Sequence, residues 1–395
     1  MTPPPPGSSR LPLDGVTVIE FCSIAAGPFC AMLLADMGAT VIKVEPPDGD
    51  GLRQWPPLST GYSENFASVN RNKKSMVLNL KAPDDLAVAR KLILAADIVV
   101  ENNRPGVMDR LGLGYDSFVP AHPALLYCSI SAFGQSGPRA DEGGFDLTIQ
   151  AAAGVMSVTG EPDGPPVKCG VPVSDFASGL YAAFSIAAAL VRVREGGAGA
   201  HIDVPMYGCT LGISALQTSD YFGNGRSPGR LGSAHPRNAP YQAFRASDGY
   251  FAIAAGNQKL WLDVCSVVGM PQLAEDPRFL TTADRAAHQG ALKALLEERF
   301  ATQPVDHWID AFKEARVPHS RINDYAAALD DAQTQHMGWV SDLVLPGGAQ
   351  TRTFGSPIRF NGAGFPVRCG PPRLGEHSEE IRSQLQLSET VGDPA

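Results

Sequence analysis

No two cysteines in this chain stand three positions apart as CxxC, and no histidine pair has the HExxH spacing. The first absence removes zinc ribbons and thioredoxin-like redox pairs, and the second removes the zinc-helix hydrolases, so no metal is expected. The seven cysteines (Cys22, Cys30, Cys128, Cys169, Cys209, Cys265 and Cys369) are scattered and odd in number. That suits reduced thiols in the cytoplasm rather than a disulfide framework. Basic residues are outnumbered, 32 Lys and Arg against 41 Asp and Glu, for a net charge of -9. A nucleic-acid partner is therefore not expected. No apolar run of membrane-spanning length stands out, and the proline-rich start from Met1 to Arg10 has no signal-peptide core, so no membrane partner is expected either. A Ser-His-Asp order is missing too. Of the eight histidines, only His235 falls in a loop that could serve function, and a structural role is the simpler reading for it.

What the chain does have is length and core. Its 395 residues, 44% hydrophobic, exceed one ordinary domain, and two are expected. The first third alternates strand and helix. Val16 to Phe21 is a β-branched run, Pro28 suits the first turn of a helix running from Phe29 to Met37, and Thr40 to Glu45 is the next strand. Strand Ser75 to Leu80, helix Asp84 to Ala96 and strand Ile98 to Val100 repeat the unit, and Leu125 to Ser131 adds another strand. Near-continuous apolar strands alternating with helices predict an α/β fold, a doubly wound, Rossmann-like parallel sheet covered on both faces. Residues 220–240, rich in Gly, Ser, Pro and Arg, read as a linker. A hairpin signal at Ser247-Asp248-Gly249 then opens a smaller α+β domain over residues 241–324. Residues 1–10 read as a loose tail, and short strands, loops and a last helix at Ser378 to Gln386 follow residue 325.

Three stretches could carry chemistry. The turn Cys22 to Pro28 follows the first strand, but it holds one glycine where a dinucleotide fingerprint needs three, which argues against a nicotinamide oxidoreductase. A helix N-terminus there can still receive an anion or a polar group of a ligand. Basic residues gather in Asn70-Arg71-Asn72-Lys73-Lys74-Ser75 and in Glu101-Asn102-Asn103-Arg104-Pro105-Gly106, the latter followed by Arg110. In an acidic protein they suit a phosphate-rich ligand, or are simply solvated loops beside strands. Asp175 stands where an apolar run meets the long Ala-rich segment Tyr181 to Arg194. It is expected at a strand-to-helix junction, where the helix dipole would favour its ionised form. Its own neighbourhood favours a plain N-cap, while a carboxylate held ionised is also a covalent nucleophile.

Read together, these segments resemble the class III CoA-transferases, the family of formyl-CoA and carnitine CoA-transferases. Ala26-Gly27-Pro28 and Leu34 to Pro46 look like the family's opening. Asn70 to Ser75 resembles its NRxKxS motif, Glu101 to Gly106 its ENFRPG, Gly160 to Pro166 the segment before the nucleophile, and Gly375-Glu376-His377-Ser378 its GEHT. The resemblance places Asp175 on the catalytic aspartate of VxDxxxG. It implies an acyl-CoA:carboxylate CoA-transferase working through aspartyl anhydride and aspartyl-CoA thioester intermediates. Coenzyme A would enter as the co-substrate acyl-CoA with a small carboxylic acid, and neither metal nor a nucleotide energy source would be needed. For CoA it implies contacts from Ile24, Ala25, Ala26, Arg71, Lys73, Asn102, Asn103, Arg104, Arg110 and Asp146, and for Gly256 a loop covering the intermediates. It also implies an interlocked homodimer whose large domain, residues 11–219 and 325–395, uses both chain ends.

The chain departs from the pattern in three places. Asn103 replaces the usual aromatic, Pro46 stands where some relatives carry arginine, and Ala254-Ala255 precede Gly256 where many have glycines. The alternatives are an α-methylacyl-CoA racemase-like isomerase and a catalytically silent CoA-binding protein. The racemases' GHD histidine falls on Phe145 in Gly144-Phe145-Asp146, which cannot shuttle a proton. The intact Asp175 motif argues against the silent protein.

Overall fold

The computed structural model describes residues 11–391, with side chains as far as residue 385; the expected tail over residues 1–10 lies outside them. The chain divides into two compact units. One comprises residues up to Val155, Lys168–Gly225 and the chain from Gln333 onward, and the other Met156–Val167 and Arg226–Ala332.

The first unit is built on six strands. In chain order its elements are β1 (Thr17–Phe21), α1 (Ala26–Asp36), β2 (Thr40–Glu45), α2 (Glu64–Asn70), β3 (Lys73–Val77), α3 (Pro83–Leu94), β4 (Ile98–Glu101), α4 (Val107–Arg110), β5 (Leu126–Ser131), α5 (Asp146–Ala152), α6 (Val173–Arg194), β6 (Ala200–Pro205), α7 (Met206–Ile213) and α8 (Ala215–Asn224). The strands lie in the order β3-β2-β1-β4-β5-β6, and every neighbouring pair is parallel. That is the doubly wound Rossmann order, with its switch point between β1 and β4. Adjacent residues of one strand feed opposite cores, as the pleat requires. Val18, Val41, Ile98 and Cys128 pack with α1 and α6, whereas Ile19, Ile42, Val99 and Tyr127 pack with α3. Burial on both faces explains why these strands read as continuous apolar runs.

The motif Asn70 to Ser75 is an internal bolt. Arg71 forks onto Asp36 at the end of α1 (2.6 and 3.1 Å), and Asn72 donates to the same carboxylate at 2.8 Å. Asn72 also accepts from the backbone N–H groups of Arg368 and Cys369, which ties down the returning C-terminal chain. Ser75 donates to Glu45 at 2.6 Å and accepts from the backbone N–H of Gly375 at 2.9 Å. The GEHS segment completes the seam, with the His377 backbone N–H bonded to Ser75 and the Ser378 hydroxyl accepting from Val77.

Beneath the bolt lies a buried ionic cluster. Glu20 on β1 meets Lys43 of β2 at 3.0 Å and Lys73 of β3 at 2.9 Å, and all three are fully buried. Lys43 also meets Asp50 at 2.9 Å and the carbonyl of Cys22 at 2.8 Å. Burial opposes its charge, yet Glu20, Asp50 and Glu45 together hold the Lys43 ammonium above the usual lysine range. Burial draws Lys73 down, and the neighbouring Lys43 adds to this against the pull of Glu20.

Helix α6, 22 residues long, is long and apolar enough by length and composition to cross a membrane, a test that the core helix of a soluble protein also passes. This corrects the expectation that no such run exists; alternating Ala, Phe, Ile and Leu with small residues hides its length from inspection. In this unit α6 packs along α1 and α7 with Ala182, Ile186 and Leu190 inward. Leu180, Phe184 and Val191 stay exposed.

The second unit pairs β7 (Tyr241–Arg245) with β8 (Tyr250–Ala254) as the antiparallel hairpin read from Ser247-Asp248-Gly249. Helices α9 (Gln258–Val267), α10 (Gln289–Phe300) and α11 (Val305–Glu314) cover it, and β9 (His319–Arg321) adds a third strand. Its core is aromatic, with Phe244, Phe251, Trp261, Phe279, Phe300, Trp308 and Phe312. Two boundaries differ from the sequence reading. Helix α8 continues to Asn224 and stops at left-handed Gly225, so irregular chain begins there rather than at 220. Residues 156–167 belong with this unit because Arg230 binds the carbonyls of Glu161 (3.2 Å) and Gly164 (2.8 Å).

Replacing Lys43 with Met would leave Glu20 and Asp50 buried with one cation fewer. Breaking such a pair costs about 3–5 kcal/mol. Urea unfolding of Lys43→Met should show a loss of that size, and a variant as stable as the parent would disprove the role assigned to the cluster.

Candidate active site

In a doubly wound sheet the loops leaving adjacent strands diverge at the switch point, and a crevice opens at their carboxyl ends. Here the turn after β1 and the loop after β4 form it. A cavity of about 490 Å³ is lined by Ser23, Ile24, Ala25 and Ala26 from the first and by Asn102, Asn103, Arg104 and Pro105 from the second. Ile130 to Ala132 close its floor, Glu142 to Phe145 and Thr148 its far side, and Asp175 and Met206 its remaining wall.

Two anchors shape the walls. Ile24 takes a left-handed backbone (φ 68°), unusual for a β-branched residue. Its N–H is held by the Asp50 carboxylate at 3.0 Å, and Lys43 holds Asp50 in turn. Burial works against the Asp50 charge, but Lys43 and the N–H groups of Leu52 and Ile24 keep its carboxyl below the usual range. The two loops are also stitched together. The Ser23 N–H donates to Asn102 Oδ1 at 3.0 Å, and Asn102 Nδ2 returns a bond to the Ser23 carbonyl at 2.9 Å.

Asp175 lies in the first turn of α6, two residues after the helix begins, with Pro172 at the cap position. No strand precedes it, because residues 161–172 run as turns and irregular chain. The segment is fastened to α5 instead. Asp146 Oδ1 accepts from the Ser174 N–H at 2.9 Å, Asp146 Oδ2 from Gln150 at 2.7 Å, and Gln150 Oε1 from the Cys169 N–H at 2.9 Å. One turn along α6, Gly179 meets α1 where a Cβ would come 2.8 Å from the Ala26 carbonyl and 2.9 Å from the Phe29 ring. A glycine four residues after the aspartate therefore lets α6 press against the start of α1 and brings Asp175 beside Ala25 and Ala26.

Among the described residues no hydrogen-bond donor reaches the Asp175 carboxylate. Burial, and after it the neighbouring Asp146 carboxylate, push its carboxyl up to about 7. The expectation that the helix end would favour the ionised form is corrected: a fixed anion already takes the Ser174 N–H, and desolvation outweighs the dipole.

The structure thus brings together Asp175, Ile24, Ala25, Ala26, Asn102, Asn103 and Arg104. Arg104 is exposed, pairs with no carboxylate among the described residues, and lies over Gly143. Arg110 is exposed on α4 and outside the cavity lining. Asp146 supports α6 from behind rather than lining the cavity. Arg71 and Lys73, 3% and 1% exposed, are committed to Asp36 and Glu20 and do not line the cavity. Gly256 lies in the second unit between β8 and α9, where Asn257 caps α9 by accepting from the Leu260 N–H. His235 there accepts two backbone N–H bonds at Nδ1 and stacks on Tyr241, a structural use of its ring. Sequence reading passed over Asp50, Glu142 and Gln150; the spacing of Gln150 four residues after Asp146 was the only local sign of a helical pair.

The family model of CoA-transferase family III matches residues 13–378. The acetyl-CoA:oxalate CoA-transferase of Acetobacter aceti is 40% identical over 98% of this chain and all of its own length. The succinate–glutarate CoA-transferase of Agrobacterium fabrum is 36% identical over 97% of this chain and 98% of its own. Among solved structures, a CAIB/BAIF family protein from Brucella suis superposes with a TM-score of 0.84 at 40% identity, over 95% of this chain and 100% of that one.

The raised Asp175 carboxyl fixes the sign of a stability effect. In the unfolded chain an aspartate titrates near ~4. The folded protein therefore holds an extra proton between about pH 4 and 7, and stability falls as pH rises through that window. Asp175→Asn cannot ionise, so at pH 8 it should be more stable than the parent by on the order of 2–4 kcal/mol. The gap should close towards pH 4. Denaturant titrations at pH 5 and 8 that show no difference at either would contradict the buried setting of this carboxyl.

Proposed function

The chain belongs to CoA-transferase family III and is a CoA-transferase, and from that premise we propose that it moves CoA from an acyl-CoA to a carboxylic acid by covalent catalysis at Asp175. The observation that carries this reading is a carboxylate without hydrogen-bond donors, in the first turn of a helix, facing the switch-point cavity. An anion not quenched by hydrogen bonds keeps its nucleophilicity, and a carboxyl near 7 is largely ionised just above neutrality.

In the cycle, Asp175 attacks the thioester carbonyl of the donor and expels CoA thiolate, leaving an aspartyl–acyl anhydride. The thiolate attacks the aspartyl carbonyl, which frees the donor acid and leaves an aspartyl-CoA thioester. The acceptor carboxylate attacks that thioester, giving a second anhydride and thiolate. The thiolate attacks the acceptor's acyl carbon, which releases the new acyl-CoA and restores Asp175. Every bond broken is matched by one of similar kind, so no external energy source enters. Arg104, unpaired at the mouth, suits a phosphate of CoA. The family resemblance assigns the loop at Gly256 to covering the reactive intermediates. Because relatives are named for oxalate and glutarate, small dicarboxylic acids are the proposed acceptors. Phe145, at the cavity where a racemase would place histidine, supports the transferase over the isomerase.

We also propose a homodimer. Val171, Val173, Phe176, Leu180, Tyr181, Phe184 and Ile213 line an apolar groove on α6 and α7. Phe184 is 73% exposed, and Leu216 and Phe222 on α8 are 62% and 80% exposed. Apolar surface gathered in this way is characteristic of subunit interfaces. Sedimentation should give twice the chain mass, and a species at one chain mass would rule the dimer out.

Incubation with acetyl-CoA or succinyl-CoA and labelled oxalate or glutarate, followed by hydroxylamine, should leave a hydroxamate on the Asp175 peptide by mass spectrometry. Asp175→Asn should lose about 10³-fold or more in kcat. The parent's kcat/KM should rise with pH through about 7 as the carboxyl ionises. An active donor that leaves Asp175 unmodified would refute the covalent scheme.

A further inference from the structure

Asn103 stands where the resembled ENFRPG motif has an aromatic, and the structure shows what holds it. Glu101, the last residue of β4, is 4% exposed. Its Oε2 accepts from the Asn103 N–H at 2.8 Å and from Asn103 Nδ2 at 3.2 Å. Asn103 Nδ2 also reaches the Phe21 carbonyl at 3.3 Å, so both amide hydrogens are committed inward. Among the described residues no donor reaches Asn103 Oδ1, which is left as the acceptor of a cavity-lining side chain. Behind Glu101, Ser129 is its register partner on the neighbouring β5, and the Ser129 hydroxyl lies 2.9 Å from His201 Nε2 on β6. His201 stacks on Tyr115 at 5.3 Å and meets the edge of Tyr127 at 5.6 Å, yet remains exposed. Three adjacent strands thus place His201 at the surface, Ser129 beside Glu101, and Glu101 bonded to Asn103 in the cavity wall.

We propose that Glu101 is a positioning residue for the CoA-transfer reaction: with Ser129 and His201 behind it, it fixes Asn103 and so presents the Asn103–Arg104 loop to the acyl-CoA. The inference rests on the cavity being the CoA site. The other groups around Glu101 are Asp109 on α4, Tyr127 and Cys128 on β5 and Cys22 after β1. None is a cation; burial, with Asp109 adding to it, raises the Glu101 carboxyl, and the donors that hold its Oε2 are the backbone and side-chain amides of Asn103. The contact therefore points at the loop after β4. A carboxylate buried only to stabilise the fold would be expected to pair with a cation, as Glu20 does.

The test is a double-mutant cycle read in binding and kinetics. Glu101→Met should weaken CoA binding in calorimetry and raise the KM for acyl-CoA about tenfold, with kcat within about twofold of the parent. Ser129→Ala, a small change that keeps the strand, should raise KM about two- to threefold, and Glu101→Gln, which keeps an acceptor for Asn103, should fall between the two. In an Asn103→Ala background, Glu101→Met and Ser129→Ala should add nothing further to KM. Additive effects in that background, or a loss in kcat with KM unchanged, would overturn the inference, because a merely structural carboxylate would act regardless of Asn103. Unchanged CoA affinity in both Glu101→Met and Ser129→Ala would overturn it while the functional reading stands. Failure of the parent to bind CoA would overturn both.

Discussion

Two lysines share one buried glutamate at the heart of the sheet, and the crevice exists in its observed shape because of that arrangement. Glu20, Lys43 and Lys73 sit on three adjacent parallel strands with no access to solvent. A single carboxylate cannot satisfy two ammonium groups, so Lys43 reaches outward to Asp50 and to the Cys22 carbonyl. Lys73 reaches to the Pro28 carbonyl and Asn70. Those outward bonds fall at the turn after β1 and at the first turn of α1, the backbone that lines the cavity. Asp50 then grips the Ile24 N–H and stabilises a left-handed backbone that the side chain alone would resist. Hydrophobic side chains could fill the same volume with equal stability. They could not fix the direction of a turn, and an ordered turn is what a preorganised site needs.

The same economy explains what the sequence did and did not reveal. The strands were legible because burial on both faces leaves uninterrupted Val and Ile, and the order of alternation led directly to the parallel sheet. Asp175 was singled out through its resemblance to a family motif, and the glycine one turn later in that motif is where α6 touches α1. Arg71 and Lys73 are expected CoA contacts, and the structure buries both in ion pairs. Whether a basic side chain faces solvent or a carboxylate depends on partners 35 and 53 positions away in sequence, Asp36 and Glu20, and no local pattern encodes such a meeting. The strand expected before Asp175 failed similarly. Lys168 to Ser174 is held by side-chain bonds from Asp146 and Gln150, which substitute for a ladder. Asp146, expected among the CoA contacts, fastens the start of α6 through the Ser174 N–H.

Its position behind α6 also sets the electrostatics of the site. A helix N-terminus ordinarily stabilises an anion by its free N–H groups. Here the Ser174 N–H is already taken by Asp146, and the occupying group is itself negative. One interaction thus removes a donor from Asp175 and adds a repulsive charge. In the proposed cycle the same carboxyl group must attack a thioester and later leave from an anhydride as a carboxylate. A strongly hydrogen-bonded carboxylate would leave easily but attack poorly. Burial and repulsion shift the balance towards attack while leaving the group substantially ionised near neutrality.

The lining of the cavity bears on the other demand of such a cycle, which is the survival of anhydrides in water. Ile24, Ala25, Ala26, Ile130, Ala132, Phe145 and Met206 present carbon to the space in front of Asp175, and polar groups gather on the loop after β4 and on the Glu142 side. Phe145 is 72% exposed, an unfavourable position for a phenylalanine unless something apolar covers it. An acyl group entering beside Asp175 would provide that cover and expel water from the carbon about to be attacked. A histidine at the same position would supply a proton relay and a water-binding edge. In the proposed cycle, carbon in place of nitrogen there leaves no proton relay and helps keep water from an acyl–aspartyl bond until it meets a thiolate.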